Sequence, residues 1–118
     1  MKTNDFPKDK PLYTTSIVAE MLGITPDRLR SYDRDLLISS NREIAGKISR
    51  RLYSQFDIEW LRAIRELIQE HNMSVNSIKA ILDILHLNPE LKLPKGDLGE
   101  IYKGMLANPN LKKLGVKN

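Results

Sequence analysis

The sequence predicts a mainly α-helical fold with a small β-hairpin wing: a winged helix-turn-helix head followed by a short extension. Three observations predict it. Apolar residues recur at helical spacing in five separate runs, and the first two runs are parted only by a short turn containing Gly23. Residues 38–53 instead carry β-branched Ile38, Ile44 and Ile48 with no helical stripe. A length of 118 residues suits one domain, and 41% hydrophobic with 29% charged residues lies near the globular average, so a real though small core can form.

Residues 1–11 hold Lys2, Asp5, Pro7, Lys8, Asp9, Lys10 and Pro11 with little apolar content, and read as a loose arm. The winged head is expected over residues 12–87. Ser16 can cap the first helix, whose buried side is Val18, Met21 and Leu22, and Gly23 ends it because glycine adopts positive φ without a Cβ clash. Thr25 then suits an N-cap and Pro26 the first helical position, where a missing N–H costs nothing. Ile24, Leu29, Tyr32 and Leu36 give the second helix its apolar side. The hairpin follows, with Gly46 at its turn, and an isolated hairpin is so marginal that it must lean on the helices or a ligand.

Ser54 and Asp57 propose a capping box for a third helix with the stripe Ile58, Leu61, Ile64, Leu67 and Ile68, stopped near Asn72. Ser74 opens a fourth with Val75, Ile78, Ile81, Leu82 and Leu85, and Asn88-Pro89 closes it, since proline pushes the preceding residue out of the helical region. Residues 88–118 form an extension broken by Pro94 and Gly96. There Asp97 and Glu100 propose a second capping box, and Leu98, Ile101, Tyr102, Met105 and Leu106 mark a short helix at about residues 98–107.

Composition narrows the chemistry. Zero cysteines exclude disulfides, thiolate metal sites and a cysteine nucleophile, and His71 and His86 stand too far apart to start a metal cluster. No cofactor is expected. The pairs Asp33 with Asp35 and Glu66 with Glu70 accompany no nucleophile, so an enzyme is the least favoured reading. No apolar run approaches the roughly 18 residues of a membrane span, and the first residues lack a signal-peptide core, which fits a cytoplasmic protein.

The formal net charge of +4 is unevenly placed. Residues 27–53 carry +3, residues 54–72 carry −2 and residues 89–118 carry +3. Six of the eight arginines, Arg28, Arg30, Arg34, Arg42, Arg50 and Arg51, fall in the second helix and the wing, with Lys47 among them. A planar guanidinium grips phosphate oxygens or a guanine edge with two parallel hydrogen bonds, so this cluster points to double-stranded DNA. The competing reading is a solvated surface on which Asp27, Asp33, Asp35 and Glu43 pair with these arginines.

The residues resemble the MerR family of winged helix-turn-helix transcription regulators. Residues 13–24 are similar to that family's first helix and turn, and Thr25-Pro26-Asp27-Arg28-Leu29-Arg30-Ser31-Tyr32-Asp33-Arg34 to its second helix. Arg50-Arg51-Leu52-Tyr53-Ser54 resembles the junction from wing to third helix, and Met73-Ser74-Val75 with Ile78 and Leu82 the second wing and fourth helix. Within the family the pattern is most similar to the short branch without an effector domain, that of HspR, GlnR and TnrA. The resemblance implies a cytoplasmic, repressor-like regulator that binds a near-palindromic operator as a dimer. Each protomer would place its second helix in a major groove and its wing on the flanking backbone. The departures are Ser31, where the family commonly has a second aromatic, and Pro89, Pro94 and Gly96, which interrupt the region of the usual dimerisation coil. Leu98, Ile101, Tyr102 and Met105 are then the local candidates for a homodimer contact.

The DNA-binding candidates are therefore Thr25, Asp27, Arg28, Arg30, Ser31, Tyr32 and Arg34 on the second helix, with Lys47, Arg50 and Arg51 on the wing. Arg28 is expected to read base edges, unless it pairs with Asp27 or Asp35. Arg51 is expected to contact a phosphate. Tyr32 either donates to a phosphate or simply packs, and Trp60 belongs at the edge of the core. Two other readings use the same head: a module that binds a regulatory protein partner through Tyr102, Met105 and the third and fourth helices, and a plasmid or phage excision or partition factor.

Overall fold

The computed structural model describes the backbone of residues 7–36, 41–45 and 48–114, and the side chains of residues 7–34 and 51–111. The elements run β1 (Tyr13–Thr14), α1 (Thr15–Leu22), α2 (Pro26–Leu36), β2 (Asn41–Ala45), β3 (Ile48–Tyr53), α3 (Gln55–Glu70), α4 (Val75–Leu87), α5 (Asp97–Leu106) and a closing 3₁₀ helix (Pro109–Leu114). The expected class, mainly helical with a β-hairpin, is the one observed. The hairpin, however, belongs to a three-stranded antiparallel sheet in the order β1-β3-β2. β1 sets Tyr13 against Tyr53 and Thr14 against Leu52, while β2 sets Arg42 against Arg51 and Glu43 against Arg50. The expected turn at Gly46 lies outside the described residues.

Local chemistry explains most boundaries. Gly23 takes φ 69°, so its own N–H and that of Ile24 fold back onto the Glu20 and Ala19 carbonyls and close α1. Thr25 Oγ1 accepts the Arg28 N–H at 3.1 Å and starts α2. Ser54 and Asp57 make the full reciprocal capping box at the head of α3. Ser74 caps α4 by accepting the Ser77 N–H, and Asn88 ends it, its Nδ2 donating to the Ile84 carbonyl at 2.8 Å.

Two caps differ from expectation. α1 is capped by Thr14, not Ser16, because pairing with β3 holds Thr14 extended and the helix begins directly after it. Gly96, with φ 102° and no side chain, occupies the cap of α5. Asp97 is thereby placed inside the first turn, where with Glu100 it complements the helix dipole instead of forming a capping box.

The core gathers around α3. Ile58, Trp60, Leu61, Ile64 and Leu67 are buried against Val18 and Leu22 of α1, Leu29 and Tyr32 of α2, Tyr53 of β3 and Ile78 and Leu82 of α4. Trp60 sits inside this core at 1% exposure, deeper than the edge position expected for it. The extension joins the same core. Tyr102 and Met105 of α5 are 3% and 2% exposed, and Leu111 of the 3₁₀ helix is buried with them. These two α5 residues are therefore unavailable as the expected dimer or partner contact, because α3 and α4 already cover them. The Tyr102 hydroxyl donates to Met73 Sδ at 3.0 Å, and burial raises its pKa above the ordinary tyrosine value.

Part of the segment read as a loose arm is tied down as well. Phe56 N–H donates to the Lys8 carbonyl and Lys8 Nζ lies 3.3 Å from Glu59, and just beyond the arm Leu12 N–H donates to the Tyr53 carbonyl. At the other end Asn108 Nδ2 donates to the Phe56 carbonyl at 3.3 Å and Asn110 Nδ2 to the buried Asp57 carboxylate at 2.9 Å. The start of α3 thus clasps both flanks of the head. No described helix is long and apolar enough to cross a membrane.

Candidate nucleic-acid interface

α2 buries one side and presents the other. Leu29, Tyr32 and Asp33 fall at i, i+3 and i+4 and face inward, while Asp27, Arg28, Arg30 and Arg34 are exposed and Ser31 is half-exposed. Thr25, Asp27, Arg28, Ser31 and Tyr32 line one side of an open cleft, whose other side is Ile68 at the end of α3 with Ser74 and Val75 at the start of α4. The fold therefore brings together five of the ten residues expected from the sequence, opposite three that were not expected there, Ile68 of α3 and Ser74 and Val75 at the start of α4. The signal for Ser74 and Val75 was present: Ser74 is a helix cap, and caps place backbone N–H groups at the surface.

The charged residues of α2 behave differently from one another. Arg30 Nη1 lies 2.7 Å from Asp27 Oδ1 in an exposed pair, as the competing reading allowed for the group. The Arg28 side chain makes no hydrogen bond or ion pair with a described residue, so its guanidinium projects from the first turns uncommitted; Asp35, its other candidate partner, has its side chain outside the described residues. The Tyr32 ring is packed into the core. Lys47 lies outside the described residues. Arg50 is placed on β3 opposite Glu43, and its side chain lies outside them.

Arg51 reaches inward. Its Nη1 lies 2.5 Å from Asp33 Oδ2, and the Tyr53 hydroxyl donates to the same oxygen at 3.2 Å. Burial raises the Tyr53 pKa most, the Asp33 charge raises it further, and Thr15 and Arg51 oppose that rise. Asp33 is the residue whose part the sequence reading missed, since there it was weighed as one of four acids able to neutralise surface arginines and not as an interior group. Its position on the buried stripe of α2, four residues after Leu29, was the available signal, because a carboxylate on an apolar face needs a partner brought from elsewhere.

Among the described residues no group of three or more acidic or histidine side chains could hold a metal ion. The arrangement offers instead a cationic, solvent-facing helix start beside a cleft, with a hairpin fixed next to it.

The sequence that builds this arrangement is similar to that of known proteins. The sequence pattern of the family described as MerR HTH family regulatory protein matches residues 13–84, from β1 through most of α4. A Streptomyces coelicolor protein that bears the name heat shock protein HspR is 35% identical over 97 residues, which are 82% of this chain and 62% of that protein. The chain thus spans less than two thirds of that relative's length. The pattern covers more than half of the chain and includes every element that builds the cleft and the wing, and so the chain belongs to the MerR family of helix-turn-helix regulatory proteins.

Proposed function

We propose that the chain binds double-stranded DNA in a sequence-specific way and regulates transcription, with repression as its sense of action. The carrying observation is the presentation of α2. Its inner face is locked into the core, while Arg28, unpaired among the described residues, projects from its first turns beside the cleft. In this reading α2 lies in a major groove with Arg28 at base edges, near Thr25, Asp27, Ser31 and Tyr32 on the cleft wall. Arg30, Arg34 and the wing cations Lys47, Arg50 and Arg51 meet phosphates, which set affinity and register without reading sequence. The family pattern, that of a helix-turn-helix regulatory protein, supports the DNA-binding and regulatory sense.

The protein-binding alternative loses Tyr102 and Met105, which are interior, and keeps only the outer faces of α3 and α4, where Ile84 and Leu87 are exposed. The same burial removes Tyr102 and Met105 from a homodimer contact, so a dimer on DNA would have to meet through other residues. Selection from a pool of random duplexes tests the proposal. A recurrent motif is expected, and two-fold symmetry in that motif would report a dimer. A pool that stays random after repeated rounds at moderate salt refutes sequence-specific binding.

A further inference from the structure

We propose that Asp33 is a positioning residue that fixes the wing against α2 through Arg51 and Tyr53, so that helix and wing meet a duplex as one rigid body. The inference rests on the DNA-binding reading for its purpose, but its geometry stands on the fold alone. Asp33 is 5% exposed, and a carboxylate taken out of water is costly unless charged or hydrogen-bonding partners replace the solvent. Two of the partners that replace it, Arg51 and Tyr53, come from β3. β3 is the central strand, and β2 pairs with β3 alone, so whatever holds β3 holds the whole hairpin. A two-stranded hairpin has little stability of its own, and β1 adds only a two-residue strand.

The anchor lies at the base of the hairpin. Arg51 stands opposite Arg42, next to the last β2–β3 pair of Asn41 with Leu52, and the hairpin runs on from there through Ala45 and Ile48. Three residues of strand span about 10 Å, so a swing of about 10° at the anchor moves the far end by about 2 Å. That displacement exceeds the tolerance of a hydrogen bond to a phosphate oxygen. One node thus joins α2 to the end of β3. Arginine suits this position because its fork can leave Nη1 on the carboxylate while other N–H groups remain for a ligand, and the Arg51 side chain is 28% exposed.

The test combines DNA affinity with backbone hydrogen exchange on the full chain. The variants are Asp33→Asn, Arg51→Ala, their double variant and Tyr53→Phe. On the selected duplex each single change at Asp33 or Arg51 is expected to weaken binding by about tenfold, with the double variant no weaker than the worse single. Without DNA, amide exchange of residues 51–53 is expected to quicken in Asp33→Asn while the α3 core amides stay protected. Should Asp33→Asn unfold the protein, Tyr53→Phe keeps the ring in the core and removes a single bond from Asp33. It is expected to quicken β3 exchange and weaken binding several-fold. Unchanged β3 exchange in both variants, tighter binding by Asp33→Asn, or losses that multiply in the double variant would overturn the proposal. If the wild type selects no duplex, the DNA-binding reading fails and the exchange result alone decides whether Asp33 anchors the wing.

Discussion

Arg28→Ala separates sequence reading from mere attraction to a polyanion. The Arg28 side chain is exposed and bonded to no described side chain, so its removal costs the fold nothing that the structure shows, and the melting temperature should move by no more than about 1 °C. Its whole effect should fall on the complex. A guanidinium held bidentate on a base edge discriminates by about 1–3 kcal/mol, which is about 5- to 150-fold in affinity for the selected duplex. On a scrambled duplex of equal length only its charge is lost, and the cost should stay within about threefold. Arg30→Ala provides the internal comparison. Arg30 must first leave Asp27, and an exposed pair of that kind is worth at most about 1 kcal/mol, so part of its gain on DNA is offset and its loss should be the smaller. Fluorescence anisotropy with both duplexes at one fixed salt concentration reads all of these numbers. Equal losses on the selected and scrambled duplexes would make Arg28 a backbone contact, and no loss on either would place the first turns of α2 outside the interface.

Two further expectations concern the frame that holds this surface. In Gly99→Ala the new Cβ would lie 1.7 Å from the Pro94 carbonyl oxygen, so α5 must shift and carry Tyr102 and Met105 out of the core. A loss of more than about 2 kcal/mol is expected, a fall of about 8 °C or more in melting temperature followed by Trp60 fluorescence, and an unchanged midpoint would contradict the packing of α5. Alkaline pH should weaken the fold through Tyr53 and Tyr102. Both pKa values are raised by burial, so their stabilising contribution is intact below the ordinary tyrosine value near 10 and is lost as pH rises above it, by about 1.4 kcal/mol per pH unit for each residue. Urea midpoints between pH 8 and pH 11 should fall less steeply in Tyr53→Phe than in the wild type; identical slopes would refute the assignment.

What the sequence made legible was local. Thr25-Pro26, Gly23, the Ser54–Asp57 box and Asn88-Pro89 each act within about four residues, and each sits where its own chemistry placed it. The misses are events between distant segments. Two residues are too few to show a period, so β1 left no pattern, and its pairing with β3 moved the α1 cap from Ser16 to Thr14. The α5 stripe showed that one face needed covering, but an apolar face is the same signal whether its cover is the chain's own α3 or a second copy. The arginine cluster identified a cationic surface. It could not show that Arg51 turns inward to an aspartate 18 residues earlier while Arg28 stays exposed, because charge in a sequence carries no direction.

The buried polar groups show where this fold needs a unique geometry. Among the described residues the buried polar or charged side chains are Asp33, Ser54, Asp57 and Asn110. Each is hydrogen-bonded, and together they run from the middle of α2, across the β3–α3 junction, to the closing 3₁₀ helix. An apolar core of leucines and isoleucines tolerates repacking, whereas a directional bond to a buried carboxylate is satisfied in one arrangement only. Placing one such group, Asp33, between α2 and the wing sacrifices some of the stability an apolar filling would give, in return for a fixed angle between them. A surface meant only to attract a polyanion gains nothing from a fixed angle. One that must fit a groove and its flanking phosphates at the same time does, and the position of Asp33 between α2 and β3 therefore supports the proposed recognition of a rigid, regular ligand such as a DNA duplex.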